Sequence, residues 1–161
     1  MGEVIKVGMA DLKTCLVPNT ITTLGLGSCV GVAIRDTQNK VGGLAHVMLP
    51  DSTAIRNNDN IAKFADTGIK ELISRLEKEG LSKSSLVAKI AGGAQMFAFN
   101  TNNNMLQVGM RNAEAARTIL RGLGIRVLAE DTGENYGRTV IFYPETGDFV
   151  IRAVGKPERT I

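Results

Sequence analysis

The sequence predicts an α+β chain, built of mostly antiparallel strands and two main helices. Three observations carry that reading. Short alternating or β-branched runs fill the first fifty positions. Only two stretches, 60–80 and 111–124, read as helices. Glycine makes up 18 of the 161 residues, which suits frequent turns between short strands. A chain of this length closes one core, so residues 1–161 are read as a single domain.

The elements follow in order. "EVIKVG" (3–8) and "KTCLVP" (13–18) are short β runs, the second stopped by Pro18. "TITTL" (20–24) is β-branched, "CVGVAI" (29–34) alternates, "RDTQNK" (35–40) has turn chemistry, and "VGGLAHVML" (41–49) is a strand ending at Pro50. The polar segment 51–60 reads as a mobile loop. From 60 to 80, Ile61, Phe64, Ala65, Ile69, Leu72, Ile73 and Leu76 keep the spacing of one buried helix face, with Gly80 as its C-cap. "SLVAKIAGG" (85–93) is a strand ending in glycines, and "FNTNNNM" (99–105) is a polar loop. The second helix, 111–124, is capped by Asn112, carries Glu114 in its first turn and ends at Gly124. A strand at 125–131, a glycine-bearing loop at 131–138, and a hairpin of 139–143 with 148–154 around "PETG" complete nine strands.

Composition removes several function classes. Two cysteines are too few for a disulfide scaffold, and one histidine with no CxxC or HxxxH pair gives no seed for a metal site. With 4% aromatics and no Trp there is little to stack on nucleic-acid bases, and the net charge of +3 is scattered. No apolar run reaches membrane-span length and the first residues lack a secretory layout, so the expected location is cytoplasmic, without membrane insertion. "GLGSCVG" is followed by alternation rather than a helix, and no acidic residue completes a dinucleotide fold. No GK[ST] follows either, so both nucleotide-loop readings are rejected and no cofactor is expected.

One juxtaposition stands out. If 29–36 and 39–47 form a hairpin turning at Thr37–Gln38, paired residue numbers sum to 75 and Cys29 faces His46. Gly31, Ala33, Leu44 and Gly42 share that face, and Val30, Val32, Ile34 and Val41 form the core side. A one-residue slip separates the pair, and a three- or four-residue loop is an open alternative. A thiol beside an imidazole is the minimal apparatus for acyl transfer: an imidazolium stabilises the thiolate and later protonates a leaving amine. Gly25 and Gly27, with Ser28, are the candidate substrate-binding and oxyanion backbone. Spacing alone leaves both readings of Cys29 open, core packing and catalysis. Cys15, in an apolar strand without a partner, reads as structural.

These residues resemble a known family. "TLGLGSCVGVAIRD" and "GGLAHVMLP", followed by "KIAGGAQMF" (89–97), "VGMRN" (108–112), "GENYGR" (133–138) and "TVIFYPETG" (139–147), look like the CheD chemoreceptor glutamine deamidases. Family members often show two glycines where this chain has Gly133 and Glu134. The resemblance implies a three-layer α/β/β sandwich similar to the catalytic domain of cytotoxic necrotizing factors. It implies a catalytic cysteine and histidine, which map to Cys29 and His46, and a supporting threonine, which maps to Thr23. It implies conversion of receptor glutamines to glutamate through a thioester, with receptor methylesterase activity as a further option. The implied partners are methyl-accepting chemotaxis receptors and a CheC-type phosphatase, with 97–105 a candidate contact surface. The competing readings are a regulatory binding module acting on receptors and phosphatase, and, more weakly, a thiol peptidase, for which no local signature is present.

Overall fold

The structure, a computed structural model, describes residues 2–38, 41–96 and 107–161. Among the described residues, ten strands and two α-helices follow the order β1 (Val4–Val7), β2 (Asp11–Leu16), β3 (Thr20–Leu26), β4 (Val30–Asp36), β5 (Val41–Val47), α1 (Ala65–Lys78), β6 (Leu86–Gly92), α2 (Val108–Gly122), β7 (Arg126–Thr132), β8 (Arg138–Tyr143), β9 (Asp148–Arg152) and β10 (Arg159–Thr160). They form two five-stranded mixed sheets, β1-β3-β8-β9-β10 and β2-β5-β4-β6-β7. β1–β3 and β6–β7 run parallel, and the other neighbours are antiparallel.

Two cores explain the stacking. One face of the second sheet (Leu12, Val30, Val32, Ile34, Ala45, Val47) packs with Ile69, Leu72 and Leu76 of α1 and Ala116 and Leu120 of α2. Its other face (Cys15, Ala33, Leu44, Ala91) packs with Ile21, Val140, Phe142, Phe149 and Ile151 of the first sheet. Both faces of β4 are therefore buried. The expectation of one core side, through Val30, Val32 and Ile34, is corrected: the small-residue face of Gly31 and Ala33 is covered by the first sheet. Its residues are small because Leu26 lies against Gly31, within 3.1 Å of where a Cβ would stand.

Several boundaries differ from the sequence reading. α1 starts at Ala65, not at 60. The chain first makes a 3-10 turn at Ile61–Lys63, capped by the Asn60 side chain, and Phe64 bridges to Leu49 in extended form. Ile61 is consequently exposed rather than on the buried face. The segment 51–60 holds a second 3-10 turn at Ser52–Ala54, where Ser52 is buried and bonded to Asp66. α2 starts three residues before 111, so Asn112 is an interior helical residue and not a cap, and Glu114 is no longer in the first turn. β10 is an additional strand: two exposed residues carry no alternation pattern, and pairing with β9 alone defines it. The polar segment 99–105, and most of the contact surface suggested at 97–105, lies outside the described residues.

Candidate active site

The β4–β5 register differs from the hairpin expected. Gly31, not Cys29, pairs with His46, and Ile34 pairs with Gly43. Paired numbers sum to 77. The reason lies in the turn. The Asp36 carboxylate accepts from Gln38 N–H at 2.7 Å, and Thr37 N–H donates to the Ser85 carbonyl at 3.2 Å. Residues 37 and 38 are thereby committed to the Asp36 turn and to Ser85, and four residues separate the strands instead of two. A shift of two preserves side-chain parity. Cys29, just ahead of β4, stays on the face of His46 and becomes its diagonal neighbour.

That face lies between the two sheets, where β3 supplies the third group. Thr23 Oγ1 is 2.7 Å from His46 Nδ1 and 2.8 Å from the Val7 carbonyl. A hydroxyl has one hydrogen, and the carbonyl only accepts, so that hydrogen goes to Val7. Thr23 Oγ1 then accepts from His46 Nδ1–H. In the neutral ring this leaves the lone pair on Nε2, which is buried with no other hydrogen-bond partner among the described residues. Thr23 and His46 are both buried, at 1% and 0% exposure, and Cys29 is 8% exposed.

Burial favours the neutral form of each member of the pair. Burial pushes the Cys29 thiol up from its ordinary value, opposed more weakly by its own backbone N–H. Burial also pushes the His46 imidazole down. These directions work against the charged members of the thiolate–imidazolium pair expected from the sequence. The geometry instead suits a thiol that gives its proton to Nε2 as it attacks. Cys15 lies in the inter-sheet core at 1% exposure, and burial raises its thiol to about 11, in keeping with a structural role.

The loop before Cys29 is held at three successive carbonyls. Gly27 O accepts from Ala94 N–H (2.9 Å), Ser28 O from Asn112 Nδ2 (2.9 Å) and Cys29 O from Gly93 N–H (2.9 Å). Close approach requires glycine at 92: its φ is +105°, and a Cβ there would stand 2.3 Å from Cys29 O. Gly25, at φ +72°, sits within β3 where its pairing register with β8 shifts between Thr23 and Leu26. The Gly27 N–H, a candidate oxyanion donor, donates to Gly25 O at 3.1 Å. Gln95 N–H donates to Glu134 O, and Glu134 takes φ +62°, the left-handed form that glycine adopts more readily. Buried Arg138 supports that loop by donating to Asp131 (2.8 Å) and to the Gly133 carbonyl (3.0 Å). The described residues of the motifs at 89–97, 108–112 and 133–138, far apart in sequence, thus converge on the Cys29 loop.

Residues 48–153 match a family model described as CheD chemotactic sensory transduction. A protein of Lachnoclostridium phytofermentans named "Probable chemoreceptor glutamine deamidase CheD" is 63% identical over 161 residues, covering all of both chains. The chain belongs to the CheD family. The "Chemoreceptor glutamine deamidase CheD" of Halalkalibacterium halodurans is 52% identical over 162 residues, again with full coverage of both. Thr23, Cys29 and His46 precede the segment matched by the family model and fall within these full-length matches. Among solved structures, a "hypothetical protein YfiH" from Bacillus licheniformis is 15% identical with a TM-score of 0.44; the match covers 72% of this chain and 47% of that one. A likeness so slight carries no argument about the CheD site.

Sequence reasoning missed that Asn112 reaches the candidate site, where its Nδ2 donates to Ser28 O. Its signal was present: a polar residue whose helical phase matches the buried Ala113, Ala116 and Leu120 stripe.

Proposed function

We propose that this CheD-family chain deamidates glutamine side chains of chemotaxis receptors, with Cys29 as nucleophile, His46 as base and acid, and Thr23 as the group that orients His46. The observation that carries this is the chain of contacts Val7 O, Thr23 Oγ1, His46 Nδ1, which leaves Nε2 unprotonated and unpartnered on the face shared with Cys29.

The steps follow from that tautomer. The Cys29 thiol proton moves to His46 Nε2 as sulfur bonds to the carboxamide carbon of the substrate glutamine. The imidazolium is stabilised through Nδ1–H by Thr23. It returns the proton to the leaving nitrogen, the C–N bond breaks and ammonia departs. A water then attacks the thioester carbon, giving its proton to Nε2. The C–S bond breaks, and sulfur recovers a proton as glutamate forms. The oxyanion is assigned to the backbone around Ser28 and Cys29, with Gly25 shaping the loop. Each event adds one negative charge to the receptor.

The same reading takes residues 1–161 as one deamidase domain and its helix–sheet–sheet stack as the three-layer α/β/β sandwich of the necrotizing-factor type. It takes the cytoplasm, where receptor signalling segments would be met, as the site of action. Among the described residues no helix is long and apolar enough to cross a membrane. A CheC-type phosphatase is the proposed regulatory partner. The test is Cys29→Ala against a receptor fragment, with amide-to-acid conversion followed by mass spectrometry. Conversion should vanish while the variant melts near the parent temperature and still binds the phosphatase. Conversion at the parent rate would remove Cys29 from the mechanism.

A further inference from the structure

We infer that Asn112 is a positioning residue for the deamidation, tying the nucleophile's chain to the base's chain through one carboxamide nitrogen. The inference rests on the reading of Cys29 and His46 above.

The β4–β5 ladder stops at Val30↔Val47. The next rung would join Cys29 and Met48. Beyond that point the two chains have no ladder between them, and the Cys29 thiol has to be held against His46 by something else. Asn112 Nδ2 reaches across the gap, donating to Ser28 O at 2.9 Å and to Met48 O at 2.9 Å. Ser28 precedes the nucleophile, and Met48 follows the base by two residues. Both hydrogens of the nitrogen are used, and two facing carbonyls dictate that the nitrogen, not the oxygen, points there.

The residue is an odd choice for stability alone. Asn112 is 0% exposed in the middle of α2, beside the apolar Ala113 and Ala116, and its Oδ1 is buried with no partner among the described residues. An unpartnered buried acceptor is a cost that an apolar side chain would avoid. What the carboxamide alone supplies is a double donor aimed at two carbonyls flanking the reacting pair. The helix that carries it is itself fixed to the same loop: a Cβ on Gly109 would stand 2.1 Å from Ala94 O, and Ala94 N–H holds Gly27 O.

The test uses the full chain and a receptor fragment, with three variants. Asn112→Leu keeps the volume and removes both donors. Asn112→Asp places an acceptor against two carbonyls and regains one donor only when protonated. Leu120→Ala weakens α2 without touching the carboxamide. At a temperature where all are folded, Asn112→Leu should lower kcat at least tenfold with KM changed less than threefold, and Leu120→Ala should keep the parent kcat. The rate of Asn112→Asp, divided by that of the parent, should rise as pH falls into the carboxylate range. A parent-like kcat in Asn112→Leu, an equal loss in Leu120→Ala, or a flat Asn112→Asp ratio would overturn the inference. Failure of both Asn112 variants to fold, with Leu120→Ala folded, would assign the residue to stability and overturn it too. Should Cys29→Ala remain active, the underlying mechanism fails; should Cys29→Ala be inactive while Asn112→Leu runs at the parent rate, only the positioning role fails.

Discussion

Thr23→Val removes one oxygen and keeps the shape of a buried side chain. Two groups then lose their partner: the Val7 carbonyl, 2.8 Å from Thr23 Oγ1, and His46 Nδ1–H, 2.7 Å from it. Val7 and His46 are both buried, at 4% and 0% exposure. Leaving a buried donor or acceptor unmade costs about 1–3 kcal/mol each, so unfolding free energy should fall by about 2–6 kcal/mol. Catalysis should suffer separately. During attack His46 becomes an imidazolium, and its Nδ1–H bond to Thr23 becomes charge-assisted. Such a bond contributes about 1.5–3 kcal/mol, which converts to about a 10- to 150-fold loss of kcat. The assay is amide-to-acid conversion on a receptor fragment, run well below the melting temperature so that the unfolded fraction does not enter. Thr23→Ser retains the oxygen and should recover most of the rate. A folded Thr23→Val enzyme within twofold of the parent, or a serine variant as slow as valine, would refute the tautomer argument.

Two further predictions use the surroundings of the pair. His46 is the chain's only histidine, and burial lowers its pKa. Below the ordinary imidazole value of about 6.5 the unfolded chain takes up a proton that the folded chain refuses, so stability is full above that pH and lost as pH falls toward the depressed value, by up to about 1.4 kcal/mol per pH unit. Denaturant melts from pH 7.5 to 5 should show this slope in the parent and lack it in His46→Gln; equal slopes would assign it elsewhere. Gly92→Ala should cost more than about 1 kcal/mol and slow deamidation, because its φ of +105° is strained for alanine and the new Cβ meets Cys29 O. Gly122→Ala, in open space on α2, is the control and should leave both melting temperature and rate at or above the parent's.

Local patterns made the strands around the site legible, and what escaped was whatever depends on distant partners. The alternation of 29–34 and 41–47 gave the right pairing of β4 with β5 and the right parity. That is why Cys29 and His46 were placed on one face even though the register was off by two. The register itself depended on Ser85, 48 residues beyond Thr37, which draws Thr37 out of a tight turn. The start of α1 escaped for a similar reason. Ile61 and Phe64 fit the helical period, yet Phe64 is drawn into an extended bridge with Leu49. Asn112 fits a cap by residue type, and only the backbone of Ser28 and Met48 reveals its use. The pairing of Thr23 with His46 joins strands of different sheets, so no spacing rule within one hairpin could produce it; the family resemblance pointed to it before the structure did.

The neutral resting pair bears on selectivity. A standing thiolate would react with any small electrophile that reached it. Burial raises the thiol and lowers the imidazole, so in the proposed mechanism charge separates as the acyl carbon accepts the sulfur. In that mechanism the two new charges form side by side in a buried site, where their attraction offsets part of the cost of making them. Thr23 completes the arrangement, because its oxygen accepts from Nδ1–H in both the neutral and the charged ring and needs no reorganisation between them. Three held carbonyls, at Gly27, Ser28 and Cys29, fix the loop that presents the sulfur. On this proposal reactivity is tied to a substrate that can enter between that held loop and a base whose Nε2 has no partner among the described residues.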